Sequence, residues 1–115
     1  MAVPTPNELK EKYGALTPEQ LALALGYRVK RLESPPPLTG VTVLSAYEPE
    51  HAIVLFLQPL RQRAKQRKEP LGRLEQWHIA HELYHGLSED AGLSAWRVRE
   101  TEADLWADEL LALAG

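Results

Sequence analysis

No cysteine occurs anywhere in the sequence, so disulfides and thiolate metal sites are excluded, and any metal must be held by His, Asp or Glu. Long apolar runs are missing too. The longest is Ala52–Leu57, six residues against the roughly 20 that a membrane helix needs, so no membrane partner is expected. Residues Met1–Pro6 contain neither a basic nor an apolar stretch, which predicts no secretory leader and a cytoplasmic location. A global positive field is also lacking. The formal net charge is −3, which argues against a nucleic-acid partner. Met, Phe and Asn occur once each and Ile twice, against 20 Leu and 9 Pro. Few thermolabile side chains with many prolines fit a thermophile, although a GC-rich genome produces the same bias.

What remains is ordinary globular composition, 44% hydrophobic and 25% charged, in 115 residues. That length suits one domain, 1–115, around one core. Charge is unevenly spread. Residues 61–73 carry six basic groups and one acidic, net +5, whereas residues 74–115 carry two basic and nine acidic, net −7. Three of the four histidines lie in that acidic last third, which is where chemistry is expected.

Local signals place the elements. Asn7 is a candidate cap for a helical turn over Glu8–Tyr13. Thr17-Pro18-Glu19-Gln20 then has an N-cap, a proline at the first helical position and a capping-box glutamine, with Gly26 as the stop. Tyr27–Leu32 alternates apolar and basic residues, as a strand with one wet face does. Val41–Ala46 and Ala52–Leu57 read as two further strands joined through Tyr47–His51 as a hairpin. A helix is expected from about Pro70 to His85, closed by Gly86, and a last helix from about Ala95 to Ala114. Strands grouped together with helices after them predict an α+β fold with a small, mainly antiparallel three-stranded sheet.

The chemistry concentrates in His81-Glu82-Leu83-Tyr84-His85, an HExxH. Residues at i and i+4 lie one turn apart on one helix face, so His81 and His85 can converge on a single ion. Glu82 then stands beside the ion, positioned to accept a proton from water. On a helical wheel the two imidazoles and Leu74 fall within about 40° of one another, opposite Ala80, Leu83 and Leu87, which should face the core. Zinc requires a third protein ligand. In the last helix Glu100 sits at the edge of the apolar face made by Ala103, Trp106, Ala107 and Leu110, whereas Glu102 lies alongside Leu105 and Glu109. Small residues at 103 and 107 would admit a second helix closely, which makes Glu100 the better ligand. Asp104 follows one turn later. It is a candidate to accept the outer N–H of a ligating imidazole, the alternative being a surface charge.

Leu74–Leu87 followed by Arg99–Leu111 resembles the two signature helices of gluzincin metallopeptidases, in particular the ImmA/IrrE family with its pattern AHELGH then ExEANxFAxxLL. Ala80–His85 matches the first apart from Tyr84 in place of glycine. Glu100, Glu102, Ala103 and Ala107 match the second, with Asp104 for asparagine and Trp106 for phenylalanine. The second helix is also similar to the ExxADxxA of HtpX-like metallopeptidases, in which the first glutamate binds zinc. The resemblance implies a minimal zincin-like fold and hydrolysis of a protein or peptide substrate, such as a transcriptional repressor, with Zn²⁺ on His81, His85 and Glu100 and with Glu82 as general base. The alternative is a binding or regulatory module that keeps the metal site without catalysis. Members usually continue past the second helix with chain that walls the cleft, so self-association into a homo-oligomer is expected to complete the wall here.

Other residues are weighed and set lower. His78 flanks the site one turn before His81, His51 is a solvated turn residue, and Tyr84 is a core contact. Tyr47 is a possible oxyanion donor with nothing in the sequence to bring it to the cleft. Trp77, Trp96 and Trp106 should pack around the two helices. Arg61–Lys68 holds five positive charges in eight residues without interleaved aromatics, which favours a solvated loop or short helix over a nucleic-acid arm. The same run could bring an acidic partner to the cleft. Strand Ala52–Leu57, immediately before the site helix, is the candidate to pair with an extended substrate.

Overall fold

Thr5 and Thr17 each open a helix by the same device. A computed structural model describes residues 3–37, 43–93 and 100–114. In it Thr5 caps α1 (Pro6–Tyr13) and Thr17 caps α2 (Pro18–Ala24). Each hydroxyl accepts the backbone N–H three residues on, and each capping box is closed by Glu8 or Gln20. The cap of α1 is therefore Thr5 and not Asn7. Pro6, with φ already fixed and no N–H to satisfy, starts the helix earlier, and Asn7 donates to Glu109 at 3.4 Å instead. Helix α2 ends at Leu25. Gly26 follows at φ 89°, and the Tyr27 N–H returns to the Ala22 carbonyl at 2.9 Å, a left-handed stop that glycine adopts without strain.

The strands are β1 (Arg28–Leu32), β2 (Ser45–Glu48) and β3 (Ala52–Phe56), in the order β1-β3-β2. The β2–β3 hairpin is antiparallel, Ser45 opposite Leu55 and Glu48 opposite Ala52, while β1 pairs with β3 in parallel from Arg28–Ala52 to Leu32–Phe56. The sheet is thus mixed, not mainly antiparallel. A tight turn compels β2 and β3 to run oppositely, whereas the long connection from β1 to β2 leaves the direction of β1 free. Strand β2 begins and ends later than the sequence signals suggest, and residues 41 and 42 lie outside the described residues. All five residues of β3 are buried, as a central strand requires, with Ile53 and Leu55 directed into the main core. Strand β1 is an edge. Its exposed Arg28, Lys30 and Arg31 make it a poor template for further strand pairing.

The basic run forms helix α3 (Leu57–Arg67), continuous with β3 and docked through Pro59, Leu60 and Ala64. Helix α4 (Leu71–Asp90) lies between the sheet and helix α5 (Glu100–Leu113), with α2 and α3 against its flanks and α1 against α5. Ala80, Leu83 and Leu87 face the core as the wheel requires, whereas Leu74, expected on the face of the two histidines, is buried in the core as well. The fully buried Ala103 and Ala107 let α5 approach closely. Residues 95–99 of the expected last helix lie outside the described residues.

Gly86 does not close the site helix, which runs four residues further. It is the point of closest approach between α4 and two tyrosines. A Cβ there would lie 2.5 Å from Tyr27 Cε2 and 2.8 Å from Tyr47 Cε1. Tyr27 is 3% exposed and its hydroxyl is tied to Asp90, so the ring has little room to yield. No helix among the described residues is long and apolar enough to cross a membrane.

Candidate metal centre

The i,i+4 spacing on α4 brings His81 Nε2 and His85 Nε2 to 3.2 Å. Helix α5 contributes Glu100, its first described residue, whose carboxylate lies 2.8 Å from His81 Nε2 and 3.3 Å from His85 Nε2. These three side chains could hold a metal ion, with one ligand atom of each falling within a 4.8 Å cluster. Their chemistry suits zinc. Two imidazole nitrogens and a carboxylate at bond lengths of about 2.0–2.2 Å stand roughly 3.3 Å apart around a tetrahedral ion, close to the spacings here. Both histidine side chains are largely buried, at 11% and 15% exposure, while Glu100 is 72% exposed and forms the open edge. Glu102 lies away from the cluster, with the Tyr84 hydroxyl at 3.5 Å.

The other imidazole nitrogen of His81 is enclosed. Asp104 Oδ1 lies 2.9 Å from Nδ1, yet the approach falls short of a hydrogen bond and leaves this buried nitrogen without a well-aligned partner. With an acceptor on the Nδ1 side, Nε2 is the nitrogen left to bind an ion. Trp77 stacks on His81 at 5.4 Å and 26°, and its indole N–H donates to Asp108 on α5 at 2.7 Å. The ring is thereby fixed between two helices. Trp106, anchored by its N–H to the Pro4 carbonyl, packs against Tyr84.

Glu82 is buried beside the cluster. Burial pushes its carboxyl above the usual range, opposed by a hydrogen bond from Ser45 and by the two imidazoles. Ser45 Oγ donates to Glu82 Oε2 at 2.7 Å and lies 2.9 Å from His78 Nδ1. One hydroxyl has one proton, so with Ser45 donating to Glu82 it accepts from the Nδ1–H of a neutral His78. The neutral state agrees with a His78 pKa lowered to about 4, by burial first and then by His81, Arg63 and Arg67. His78 is therefore a member of the site's hydrogen-bond chain and not merely a flanking residue.

His78, His81, Glu82, His85, Glu100 and Asp104 line one cleft of about 620 Å³, bordered by Ser45 on the sheet side and by Arg63 and Arg67 on α3. Tyr47 and Tyr84 are not among its lining residues. Strand β3 is not available to a substrate, since β1 and β2 occupy both its edges; the strand bordering the cleft is β2, paired on one side only among the described residues. Trp96 lies outside the described residues. Sequence reasoning missed Ser45, and it noted Arg63 and Arg67 only as part of a basic run able to bring an acidic partner to the cleft. Nothing local marks Ser45, which reaches Glu82 across 37 positions of chain. The spacing of the two arginines is visible, but not that the element is a helix whose face borders the site. Comparison of the chain with protein-family models, with curated proteins and with solved structures finds no match.

Proposed function

We propose that the chain is a zinc metallopeptidase of the gluzincin kind, hydrolysing peptide bonds in a protein or peptide. The observation that carries this reading is the convergence of His81, His85 and Glu100 with a buried carboxylate, Glu82, at their side. Held by those three residues, zinc would supply a Lewis acid that brings the pKa of water toward neutrality and polarises a carbonyl. Ser45 holds Oε2 of Glu82, which leaves Oε1 to take a proton from water and pass it to the leaving amine. The raised proton affinity of the buried carboxyl suits a group that must carry that proton between the two steps. Asp104 and Trp77 keep the His81 ring in one orientation. The outer edge of β2 beside Ser45, unpaired among the described residues, offers backbone hydrogen bonds to an extended substrate.

Glu82→Gln is the decisive variant. It should retain about one zinc per chain while cleavage of unfolded casein or a peptide library falls by about 10²-fold or more. Stable zinc occupancy in the wild-type protein without chelator-sensitive cleavage would favour the binding-module alternative.

A further inference from the structure

We propose that Arg63 and Arg67 form a carboxylate-binding subsite beside the metal cluster, so that the peptide entering the cleft is an acidic one. The proposal deepens the peptidase reading and rests on it for the ligand being a peptide. Both arginines line the same cavity as His81, Glu82 and His85. They stand four residues apart on α3, which sets two like charges side by side on one helix face, an unfavourable arrangement without a counter-ion. Among the described residues no carboxylate lies within 4.0 Å of either guanidinium. Arg31, in contrast, is met by Glu19 at 2.7 Å and Glu75 at 2.9 Å, and Arg61, two residues from Arg63, pairs with Glu33. The cations that face the cleft are left for a ligand.

Charge and shape agree with this. The cleft holds three carboxylates, Glu82, Glu100 and Asp104, against two arginines, a formal charge of −1 that a divalent ion would turn to +1. The loaded cleft would thus attract an anion. Arg63 is half-buried, so a carboxylate meeting it forms a charge-assisted hydrogen bond in partly desolvated surroundings. Arg67 and Trp77 also border an adjoining cavity of about 360 Å³, where Arg67 and Arg73 are matched by Glu69 and Asp108, so the two cations left over for a ligand are those of the cleft itself. A fork of guanidinium N–H donors recognises a carboxylate whether it is a Glu or Asp side chain or a peptide C-terminus.

The test is fluorescence-anisotropy titration of labelled peptides, with metal-free and zinc-loaded protein, at low and moderate salt. One peptide carries internal Glu and an amidated end, a second has Gln in place of Glu, and a third has Gln and a free C-terminal carboxylate. Tighter binding of the first or third than the second, by about tenfold, is expected and tells side-chain from terminal recognition. In R63Q/R67Q that preference should vanish, and in R63E/R67E it should turn toward a Lys-containing peptide, which also shows that the variants remain folded. Equal affinities for all peptides, or a preference that survives in R63Q/R67Q, would overturn the subsite. So would an oligonucleotide that binds with the same arginine dependence and displaces the acidic peptide. Arginine-dependent preference without cleavage leaves the subsite standing and removes the peptidase, whereas cleavage indifferent to acidic residues does the reverse.

Discussion

Helix α4 carries two polar clusters built from the same kinds of residue, and only one of them has the makings of a reactive site. Near its C-terminal end Asp90 accepts the Tyr27 hydroxyl at 2.6 Å and pairs with His51 Nε2 at 2.8 Å. Two turns back, His81, Glu82 and His85 meet Ser45, Glu100 and Asp104. Histidine, carboxylate and hydroxyl occur in both. In the Asp90 cluster each carboxylate oxygen has a protein partner, His51 and Asp90 are about half exposed, and the group ties down a turn in which Glu50 and His51 both adopt left-handed φ. That conformation is costly for side chains other than glycine, and the His51–Asp90 pair offsets part of the cost. In the other cluster the imidazoles are buried, His81 Nδ1 lacks an aligned partner, and the nitrogens face a cavity. Residue type does not separate a clamp from a site. Burial with unfinished hydrogen bonding does.

Removing one histidine from each cluster should separate the two most strongly. His81→Ala should abolish tight zinc binding measured by competition with a chelator, whereas His51→Ala should leave it unchanged. Equal losses would mean that the metal-binding assignment is misplaced. A subtler variant is Asp104→Asn, which keeps the shape but weakens the acceptor beside His81 Nδ1. Zinc affinity should fall by about 10–100-fold with little change in urea unfolding of the metal-free protein.

The smallest expected effect belongs to the clamp. Asp90→Asn should cost at most about 1 kcal/mol in urea unfolding, because the carboxylate is half exposed and its pairing is screened. Burial alone would raise the Asp90 pKa, but the hydrogen bonds from Tyr27 and His51 outweigh it and hold the carboxyl below its ordinary value. A depressed native pKa contributes stability above the unfolded-state value, and that contribution is lost as pH falls through the native one. The difference between wild type and Asp90→Asn should therefore be full near neutrality and disappear in acid below the ordinary carboxylate range. A gap that widened in acid would assign the clamp to other groups.

Much of the metal cluster was legible before any tertiary contact. Helical periodicity alone sets His81 over His85, and the small Ala103 and Ala107 beside Glu100 mark the face on which a second helix can approach. Glu100 and Glu102 are chemically identical. They separate only because Glu100 lies at the edge of that apolar stripe, where its carboxylate meets His81 and His85 at the open side of the site, and Glu102 does not. Gly86 misled, since a glycine after a run of helical residues reads as a stop, while here it serves a close approach by Tyr27 and Tyr47 that nothing nearby in sequence announces.

Apart from the cap of α1, read as Asn7 where Thr5 serves, whatever depends on neighbours along the chain was legible: the Thr17-capped α2, the left-handed stop at Gly26, the β2–β3 hairpin, the HExxH pair and the exclusion of thiolate ligands. These follow from hydrogen bonds and side-chain periodicities that close within a few residues. Tertiary packing alone sets β1 parallel to β3, lays the basic helix along the cleft, and brings Ser45 to Glu82. Each of these joins segments separated by many positions. Their pairing is chosen by the collective burial of one core, and no local pattern of residues encodes it.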